Sequence, residues 1–511
     1  MKIINKIKEN GMTLISIICM ALAVVLTMPT IYISKYAYPW ADDFSYSSET
    51  YKVFCETGSF FKAVARAAMT SIESYHDWQG TFTSCFLMAM QPSVFGIKLY
   101  HFTGFIMLGT LFVSYFVLFL VVCHRVLRLS KATALTVFAL TYLVSTQLVK
   151  SIPESFTWFN GAIHYTFNHA MFVLYLALIV LLFFDYINIK SGIKRITCTI
   201  ILCVFGFFVA GGNNITVLTG VVTLVIIYLC TLLYCRIRFE KQSDSIFPVT
   251  IIAASYILGA VLNFTAPGNL VRMSATGNTN SFFATIINSF VSGGYSVYYN
   301  FSVELAMTLI LIGVFIWHEL SQKNNLEFCK FEFPLPGAVL LISYCVLSAE
   351  YAPLNYTSVQ GTVDGIITSA FSMIRVNNCI YFSFVLLIIF NEIYFLCWLK
   401  KNTSTGKAVI VPEIVLCVLA VSIASISVSI KVNNKPTTFL TSAAVYNLKT
   451  GSAQYYGYQM QENINRLESD EKDVFVMPLS VDPDSLYPKD AADWKDGTKH
   501  FYGKDSVEYE E

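Results

Sequence analysis

Long apolar runs recur along this chain, and they constrain its fold more than any other feature. The first follows a short basic leader, within "MTLISIICMALAVVLTMPTIYI", and exceeds the about 18 residues at which an apolar helix can cross a bilayer. It is too long for the core of a typical signal peptide, so we expect an uncleaved anchor. Ten further runs lie near residues 99 to 122, 132 to 149, 166 to 187, 196 to 212, 214 to 235, 246 to 264, 294 to 317, 335 to 352, 378 to 399 and 408 to 430.

The composition agrees with a lipid environment. Of 511 residues 55% are hydrophobic and only 13% charged, and the mean hydropathy is +0.58. Soluble domains are far more polar than this. We therefore predict an all-α polytopic membrane protein with about eleven transmembrane helices. The net charge of +1 gives no general field that attracts nucleic acid, so we expect no nucleic-acid partner.

The Lys and Arg residues orient the predicted spans, because short cytoplasmic loops carry an excess of them. Seventeen of the 34 fall in the leader and in alternate loops, and eight fall in the other loops. The alternation fails if residues 81 to 95 count as a span, so we interpret "TFTSCFLMAMQPSVF" as a re-entrant or interfacial helix. The pattern predicts a multi-pass protein of the cell (plasma or inner) membrane with a cytoplasmic N-terminus and an extracytoplasmic C-terminus.

The chain divides in composition near residue 430. Residues 1–430 form the predicted transmembrane domain, with a long first external loop at 34–80. Residues 431–511 carry 14 Asp and Glu against nine Lys and Arg, and no run there is long enough to span a bilayer. A helical pattern in "QYYGYQMQENINRLES" followed by the strand-like "DVFVMPL" predicts a small, soluble, extracytoplasmic α/β tail.

Unusual polar residues collect in the predicted outer loops. Ionisable groups at membrane depth cost several kcal/mol, by order of magnitude, unless they meet water or a partner, so they mark sites or pathways. A transporter would spread them near the midplane, whereas an enzyme acting on a lipid-linked substrate would gather them at one face. The candidates are Asp42, Asp43, His76, Asp77, Trp78, Glu154, Trp158, Asn160, His164, Tyr165, Asn269, Arg272, Glu350 and Arg375.

Each of these residue types also has a purely structural interpretation. Asp42 and Asp43 could cap the helix that follows, and their aromatic neighbours could form an interfacial belt. The histidines could be ordinary interfacial hydrogen-bonding groups, and Arg272 and Arg375 could anchor to lipid headgroups. At the level of the whole protein, a flippase or transporter of lipid-linked saccharides and a non-catalytic envelope assembly protein stay open as alternatives.

Four motifs resemble those of a known group. "PWADDFSY" and the following loop to "HDWQGTF" look like the acidic motif and long external loop of the multi-spanning GT-C glycosyltransferases. Together with "WFNGAIHY" and "APGNLVR", the layout of residues 1 to about 430 is particularly similar to a bacterial family related to the GtrII-like glucosyltransferases. In the turn "AGGNN", Asn213 and Asn214 stand where many relatives have an acidic residue.

The resemblance implies a GT-C-like fold and an activity. The donor would be a sugar linked to a polyprenyl phosphate, the acceptor a glycan or lipid of the cell envelope, and the other partners membrane lipids and a flippase. Asp42 or Asp43 would act as the general base, with Asp42 favoured because the first carboxylate has that role in the related enzymes. The remaining candidates would bind substrate, Arg272 and Arg375 through the phosphate. No metal ligands and no cofactor are predicted; a divalent cation stays open but nothing indicates one.

Overall fold

The computed structural model of the protein is mostly helical and contains little sheet. It describes residues 2–186, 192–238, 243–276, 279–323, 333–357, 362–402, 439–489 and 491–510. Within these residues, seven helical segments are long and apolar enough to cross a membrane. They are Gly11–Tyr36, Ile97–Val126, Phe159–Leu182, Gly192–Val209, Phe247–Phe264, Val303–Gln322 and Ile374–Asn402.

Other predicted spans have a different outcome. The runs near 214 to 235 and 335 to 352 contain shorter apolar stretches, Asn214–Leu229 and Pro336–Glu350. The run near 132 to 149 forms the 17-residue helix Lys131–Gln147. The run near 408 to 430 lies outside the described residues. Several helices therefore suit a membrane, but the full count of about eleven is not established.

One predicted span is divided by a helix boundary. The run at 294 to 317 begins inside the helix Phe282–Asn300, and the apolar helix that follows is Val303–Gln322. The boundary has a local cause, since Ser302 is extended and its hydroxyl accepts a hydrogen bond from the Leu305 amide at 3.2 Å. A serine cap of this kind starts a new helix and interrupts the old one.

The remaining elements connect or flank these spans. The other helices are Asp42–Thr57, Phe60–Asp77, Phe82–Ala89, Pro267–Thr276, Ala352–Tyr356, Val363–Phe371, Leu440–Lys449, Ser452–Leu467 and Thr498–Tyr502. The helices that make up or extend the apolar stretches named above are Lys2–Val25, Met28–Ile33, Ile97–Tyr100, Thr103–Phe119, Phe159–Ala162, Asn168–Tyr186, Asn214–Arg238 and Ser243–Phe264. Short 3-10 or π-helical turns occur at Ser34–Tyr36, Pro92–Phe95, Leu120–Val126, Pro153–Thr157 and Ile163–Phe167.

Contacts between loops separate two ends of the bundle. At one end the Lys323 ammonium donates to the backbone carbonyl of Arg128, so two loops predicted to be cytoplasmic lie together. At the other end the Lys150 amide donates to the Asn378 side chain at 2.8 Å, and this joins a loop predicted to be external to the start of the span predicted at 378 to 399, which follows another external loop. The loops are thus grouped as the positive-inside pattern groups them. We call the second end the Asp42 end, because Asp42 follows the first span there.

The tail packs on the Asp42 end instead of standing apart as a separate unit. Its helix Ser452–Leu467 and strand Asp473–Val476 occur at the segments predicted, and that strand pairs in parallel with Ser506–Tyr509. The Phe501 ring stacks on Tyr51 with 4.0 Å between ring centroids, and it meets Phe44 edge-on. Tail residues therefore share one apolar core with the helix Asp42–Thr57.

Candidate functional site

A cavity of about 610 Å³ opens at the Asp42 end, and we call it the Asp42 cavity. Its walls come from the helices that begin at Asp42, Phe60, Phe82 and Pro267, from the residues just after Asp77, and from the first turns of two apolar helices. The structure brings eight of the fourteen sequence candidates to these walls, from five separate parts of the chain. They are Asp42, Trp78, Trp158, Asn160, His164, Tyr165, Arg272 and Arg375.

The two neighbouring aspartates have different surroundings. Asp42 lines the cavity and is exposed to solvent there. Asp43 is fully buried behind it. Successive side chains on a helix point about 100° apart, so when one of the pair faces the cavity the other faces the protein. The structure therefore separates two residues that the sequence could only present as one pair.

Asp43 holds together three parts of the chain. Its Oδ2 atom accepts hydrogen bonds from the Trp40 amide at 2.9 Å and from the Tyr100 hydroxyl at 2.6 Å. Its Oδ1 atom accepts from the Asn160 amide at 2.9 Å. A carboxylate with these contacts is in position to fix the loop before Asp42 against the start of the helix Phe159–Ala162. We therefore assign Asp43 a positioning role, in contrast to the catalytic role that the sequence left open for it.

Loss of contact with bulk water, partial for Asp42, raises the pKa of both carboxyls. It raises the pKa of the Asp43 carboxyl to about 7; the three hydrogen bonds act in the opposite direction, while the charge of Asp42 adds to the rise. The pKa of the Asp42 carboxyl is also raised, mainly because protein surrounds the cavity. Arg375 and Arg272 lower the Asp42 value and Asp496 raises it. A carboxylate of raised pKa next to two cations is suited to accept a proton near neutral pH.

Arg272 is held at the cavity by a buried amide. Its guanidinium donates to the side-chain oxygen of Gln79. The Gln79 nitrogen in turn donates to the Tyr46 hydroxyl at 2.9 Å. The guanidinium carbon also lies 5.5 Å from the centroid of the Trp78 ring, a distance that allows a cation–π contact. Gln79 thus links Arg272 to the helix that carries Asp42.

Arg375 lies on another wall of the same cavity. Its guanidinium carbon is 5.6 Å from the centroid of the Trp158 ring, and it interacts with the Tyr165 hydroxyl. The charge of Glu154, which is buried behind the wall, also acts on Arg375. Together the two arginines place two cations at the cavity, and both act electrostatically on the single lining carboxylate, Asp42.

Asn160 and His164 lie at the wall in the first turns that follow Trp158. Asn160 is only 3% exposed, and neither atom of its side-chain amide has a hydrogen-bond partner among the described residues. The Nδ1 atom of His164 is likewise buried without such a partner. Buried polar atoms of this kind are uncommon in folded proteins and call for an explanation.

The other candidates lie elsewhere. His76 and Asp77 are exposed and do not line the cavity. The Asn269 side chain forms hydrogen bonds with the backbone. It accepts from the Gly80 amide at 2.9 Å and donates to the Asn263 carbonyl at 2.7 Å. Glu350 is buried in the bundle, where it accepts from the Thr219 hydroxyl at 3.2 Å. For these four, the predicted direct contact with substrate finds no support in their positions, because each faces solvent or is engaged with other residues.

Sequence reasoning missed nearly half of the lining residues. Several could have been found from helical spacing, because residues three, four or eight apart share a helix face. Ser45 and Tyr46 follow Asp42 by three and four positions, and Thr70 and Ser74 precede Trp78 by eight and four. No simple signal marked the others, which are Gln79, Met88 and Gly161.

The tail reaches the loop that carries the aspartates. The Ala41 amide donates to the Trp494 carbonyl at 3.1 Å, and the Trp40 indole donates to the Ala492 carbonyl at 2.8 Å. Gly497 approaches the Asp42 helix so closely that a Cβ atom there would lie 2.4 Å from the Ser45 hydroxyl. The tail is therefore part of the framework behind the cavity.

The comparisons with known proteins do not assign the chain to a family. No family model, no curated protein and no solved structure matches it significantly. In the part of the chain that the structure describes, no group of three or more His, Cys, Asp and Glu side chains is placed to hold a metal ion. What the site can do must therefore be argued from its geometry.

Proposed function

We propose that the protein is an integral-membrane glycosyltransferase that transfers a sugar from a polyprenyl-phosphate donor to a hydroxyl of a cell-envelope glycan or lipid. One observation carries the proposal. Asp42, exposed in a cavity at the end of apolar helices, shares that cavity with Arg272 and Arg375. Such a transfer requires a base that accepts the proton of the incoming hydroxyl. It also requires cations that stabilise the negative charge on the departing phosphate, and here there are two.

The dimensions and the position of the site support a lipid-linked substrate. Its volume of about 610 Å³ lies within the range of about 300–1,000 Å³ that is usual for small-molecule sites. The helix Phe60–Asp77, which lines the cavity through Thr70 and Ser74, also carries exposed apolar residues, among them Phe61, which is 83% exposed, and Ile72, which is 52% exposed. A donor whose prenyl chain stays in lipid could thus place its phosphate and sugar in the cavity.

The chemistry is an in-line displacement at the anomeric carbon. Asp42 accepts the proton of the acceptor hydroxyl as the oxygen of that hydroxyl bonds to the anomeric carbon. The bond between that carbon and the phosphate oxygen breaks, and the phosphate leaves with the electron pair. Arg272 and Arg375 stabilise the charge that develops on the phosphate, preferably through paired hydrogen bonds. Asp43 keeps Asp42 in place through Trp40 and Asn160.

The proposed location follows from the loops. With the basic loop around Arg128 and Lys323 in the cytoplasm, the Asp42 end and the tail face the extracytoplasmic side of the cell membrane. The donor then enters from the outer leaflet, and a flippase supplies it there. The acceptor is an envelope glycan or lipid that is exposed on that side.

The direct test is a transfer assay on membranes that contain the protein. A panel of polyprenyl-phosphate sugars is offered together with an envelope extract, and transfer is compared for the wild type, Asp42→Asn and His76→Ala. We expect Asp42→Asn to lose about 10²- to 10⁴-fold, which is typical when a general base is removed. His76→Ala, at an exposed position outside the cavity, should remain as active as the wild type.

The rival functions give other results. If the wild type moves lipid-linked sugars across vesicle membranes and Asp42→Asn does so equally well, the protein is a transporter and the proposed base is wrong. If the wild type transfers sugar and Asp42→Asn retains full activity, the mechanism fails although the reaction stands. A protein that does neither, yet whose loss disrupts envelope assembly, would be the non-catalytic alternative.

A further inference from the structure

The side-chain amide of Asn160 makes no hydrogen bond to the described residues of the protein. Its side-chain oxygen and nitrogen lack hydrogen-bond partners among the described residues, although the residue is 3% exposed. The backbone of the same residue is firmly held, since its N–H donates to Asp43 at 2.9 Å and the preceding N–H of Phe159 donates to the Tyr100 hydroxyl at 2.9 Å. The position of Asn160 therefore does not depend on its amide, which is left available.

Close packing fixes the neighbourhood of this amide as well. A Cβ atom on Gly161 would lie 2.7 Å from the Trp158 ring, so the missing side chain lets that ring pack against the turn. The Trp158 indole donates to the Trp40 carbonyl at 3.3 Å. Asn160 thus projects from a rigid turn at the cavity wall. The χ2 torsion of asparagine is soft, so this cavity-lining amide can present either its oxygen or its nitrogen to a ligand.

Two other lining side chains have the same property. The Thr70 hydroxyl and the Nδ1 atom of His164 are buried without a partner among the described residues, and both residues line the cavity. They come from different parts of the chain, one from the helix Phe60–Asp77 and one from the turn Ile163–Phe167. Leaving a buried polar atom unpaired is costly, so three such groups around one cavity indicate that a ligand pairs with them.

We propose that Asn160 is the specificity-determining residue for a neutral sugar, whose hydroxyl groups pair with its amide and are assisted by Thr70 and His164. The inference rests on the proposed function and names the class of sugar it transfers. A hydroxyl both donates and accepts, and so does an amide, so both amide atoms can be satisfied at once. The carboxylate of an acidic sugar only accepts, so it would pair with the amide nitrogen of Asn160, leave the amide oxygen unpaired and meet the charge of Asp42.

The position of Arg375 favours the donor sugar over the acceptor as the ligand of Asn160. Arg375 packs over the Trp158 ring, with 5.6 Å from its guanidinium carbon to the ring centroid. Trp158 precedes Asn160 by two residues. Because Arg375 and Asn160 line the same cavity, a phosphate bound to Arg375 would bring the sugar that is attached to it into the space that Asn160 lines.

The experiment measures binding by the full-length protein in nanodiscs, without the need for transfer. The probes are farnesyl phosphate alone, farnesyl phosphate linked to glucose, mannose, galactose or glucuronate, and the methyl glycosides of the three neutral hexoses. We expect at least one of the neutral conjugates to bind about tenfold more tightly than farnesyl phosphate alone, and the glucuronate conjugate to show no such gain. Asn160→Ala should remove the gain and leave the affinity for farnesyl phosphate unchanged.

Variants and controls separate recognition from general damage. Asn160→Ser carries the test if the alanine variant does not fold, and His76→Ala should bind every probe as the wild type does. The inference is wrong if no neutral conjugate binds more tightly than farnesyl phosphate, or if the Asn160 variants weaken both classes equally. Asn160-dependent binding of a methyl glycoside without a gain for any conjugate would assign the site to the acceptor instead and contradict the donor assignment.

The result does not depend on the transfer assay. A protein that shows the Asn160-dependent gain but transfers no sugar would retain the sugar site and lose the proposed reaction. A protein that transfers sugar but shows no such gain would retain the reaction and lose this inference.

Discussion

Asp42 and Asp43 are adjacent in the chain, yet one is exposed in the cavity while the other accepts three hydrogen bonds in the protein interior. The pair therefore combines an accessible carboxylate with a structural one. Because the two residues start the same helix, the contacts of Asp43 with Tyr100 and Asn160 also determine where Asp42 lies.

This division predicts that Asp42→Asn mainly affects sugar transfer, whereas Asp43→Asn mainly affects stability. Asp42→Asn should abolish most sugar transfer and leave the thermal midpoint nearly unchanged. Asp43→Asn should lower the free energy of unfolding by about 1–3 kcal/mol, because the new amide nitrogen faces a donor that then has no acceptor. Transfer assays and thermal unfolding of both variants check this. Equal unfolding midpoints for the two would show that Asp43 has no structural role.

The pH dependence of transfer should follow the charges around Asp42. The base acts when ionised, so transfer is full above the pKa of Asp42 and is lost as the pH falls through it. Asp496 raises that pKa, so Asp496→Asn should move the acid limb to lower pH. Arg375 lowers it, so Arg375→Gln should move the limb to higher pH, in addition to slowing the reaction.

The measurement is kcat/KM against pH for the wild type and both variants. The two limbs must move in opposite directions relative to the wild type. A shift of both in one direction would mean that another group sets the acid limb.

Gln79 should position Arg272 for the phosphate. Gln79→Glu places a carboxylate beside the Arg272 guanidinium. The guanidinium then forms an ion pair with that carboxylate and is less available to the phosphate. We expect KM for the lipid-phosphate sugar to rise about 10- to 100-fold, since an interaction with a charged group contributes about 1.5–3 kcal/mol. The exposed Gln454→Glu is the matched control and should leave KM unchanged. If Gln79→Glu lowered kcat alone, the residue would act on the reaction by another route.

The contact of the tail with the Asp42 helix can be tested at one glycine. Gly497 has a φ of +82°, and a Cβ there would lie 2.4 Å from the Ser45 hydroxyl and 2.8 Å from its amide nitrogen. Gly497→Ala should therefore reduce both stability and transfer. Gly503→Ala is the matched control, because Gly503 also has a positive φ, +64°, but nothing lies within 4 Å of its Cβ position. It should cost only the strain of the left-handed conformation, about 1–2 kcal/mol. If the two variants behaved alike, the contact with Ser45 would be unimportant.

The orientation can be tested with single cysteines in a background without the 13 native ones. We expect Glu56→Cys and Gln454→Cys to react with an impermeant thiol reagent from outside the cell, and Lys131→Cys only after the membrane is opened. Labelling of positions 56 and 454 from opposite sides would contradict the placement of the tail on the Asp42 end.

Much of the fold could be predicted from the sequence, because lipid acts on each segment locally. Apolar length alone marks helices such as Ile97–Val126 and Ile374–Asn402, and the alternation of basic loops groups the loops as the contacts of Lys323 and Lys150 do. The break at Ser302 was missed, since a single capping serine weighs little in an otherwise apolar run. The family resemblance and the glycosyltransferase activity stay predictions.

The sequence by itself determined that this chain has apolar helices suited to a membrane, and it predicted that unusual polar residues gather in the loops of one face. Only the tertiary structure decided which of those residues share a cavity, that Asp42 and not Asp43 is exposed there, and that the tail packs behind them. The physical reason is the distance along the chain over which each effect acts. Hydropathy and charge act on short segments, whereas the direction of Asp42 depends on Tyr100, Asn160 and Trp494, which only folding brings to it.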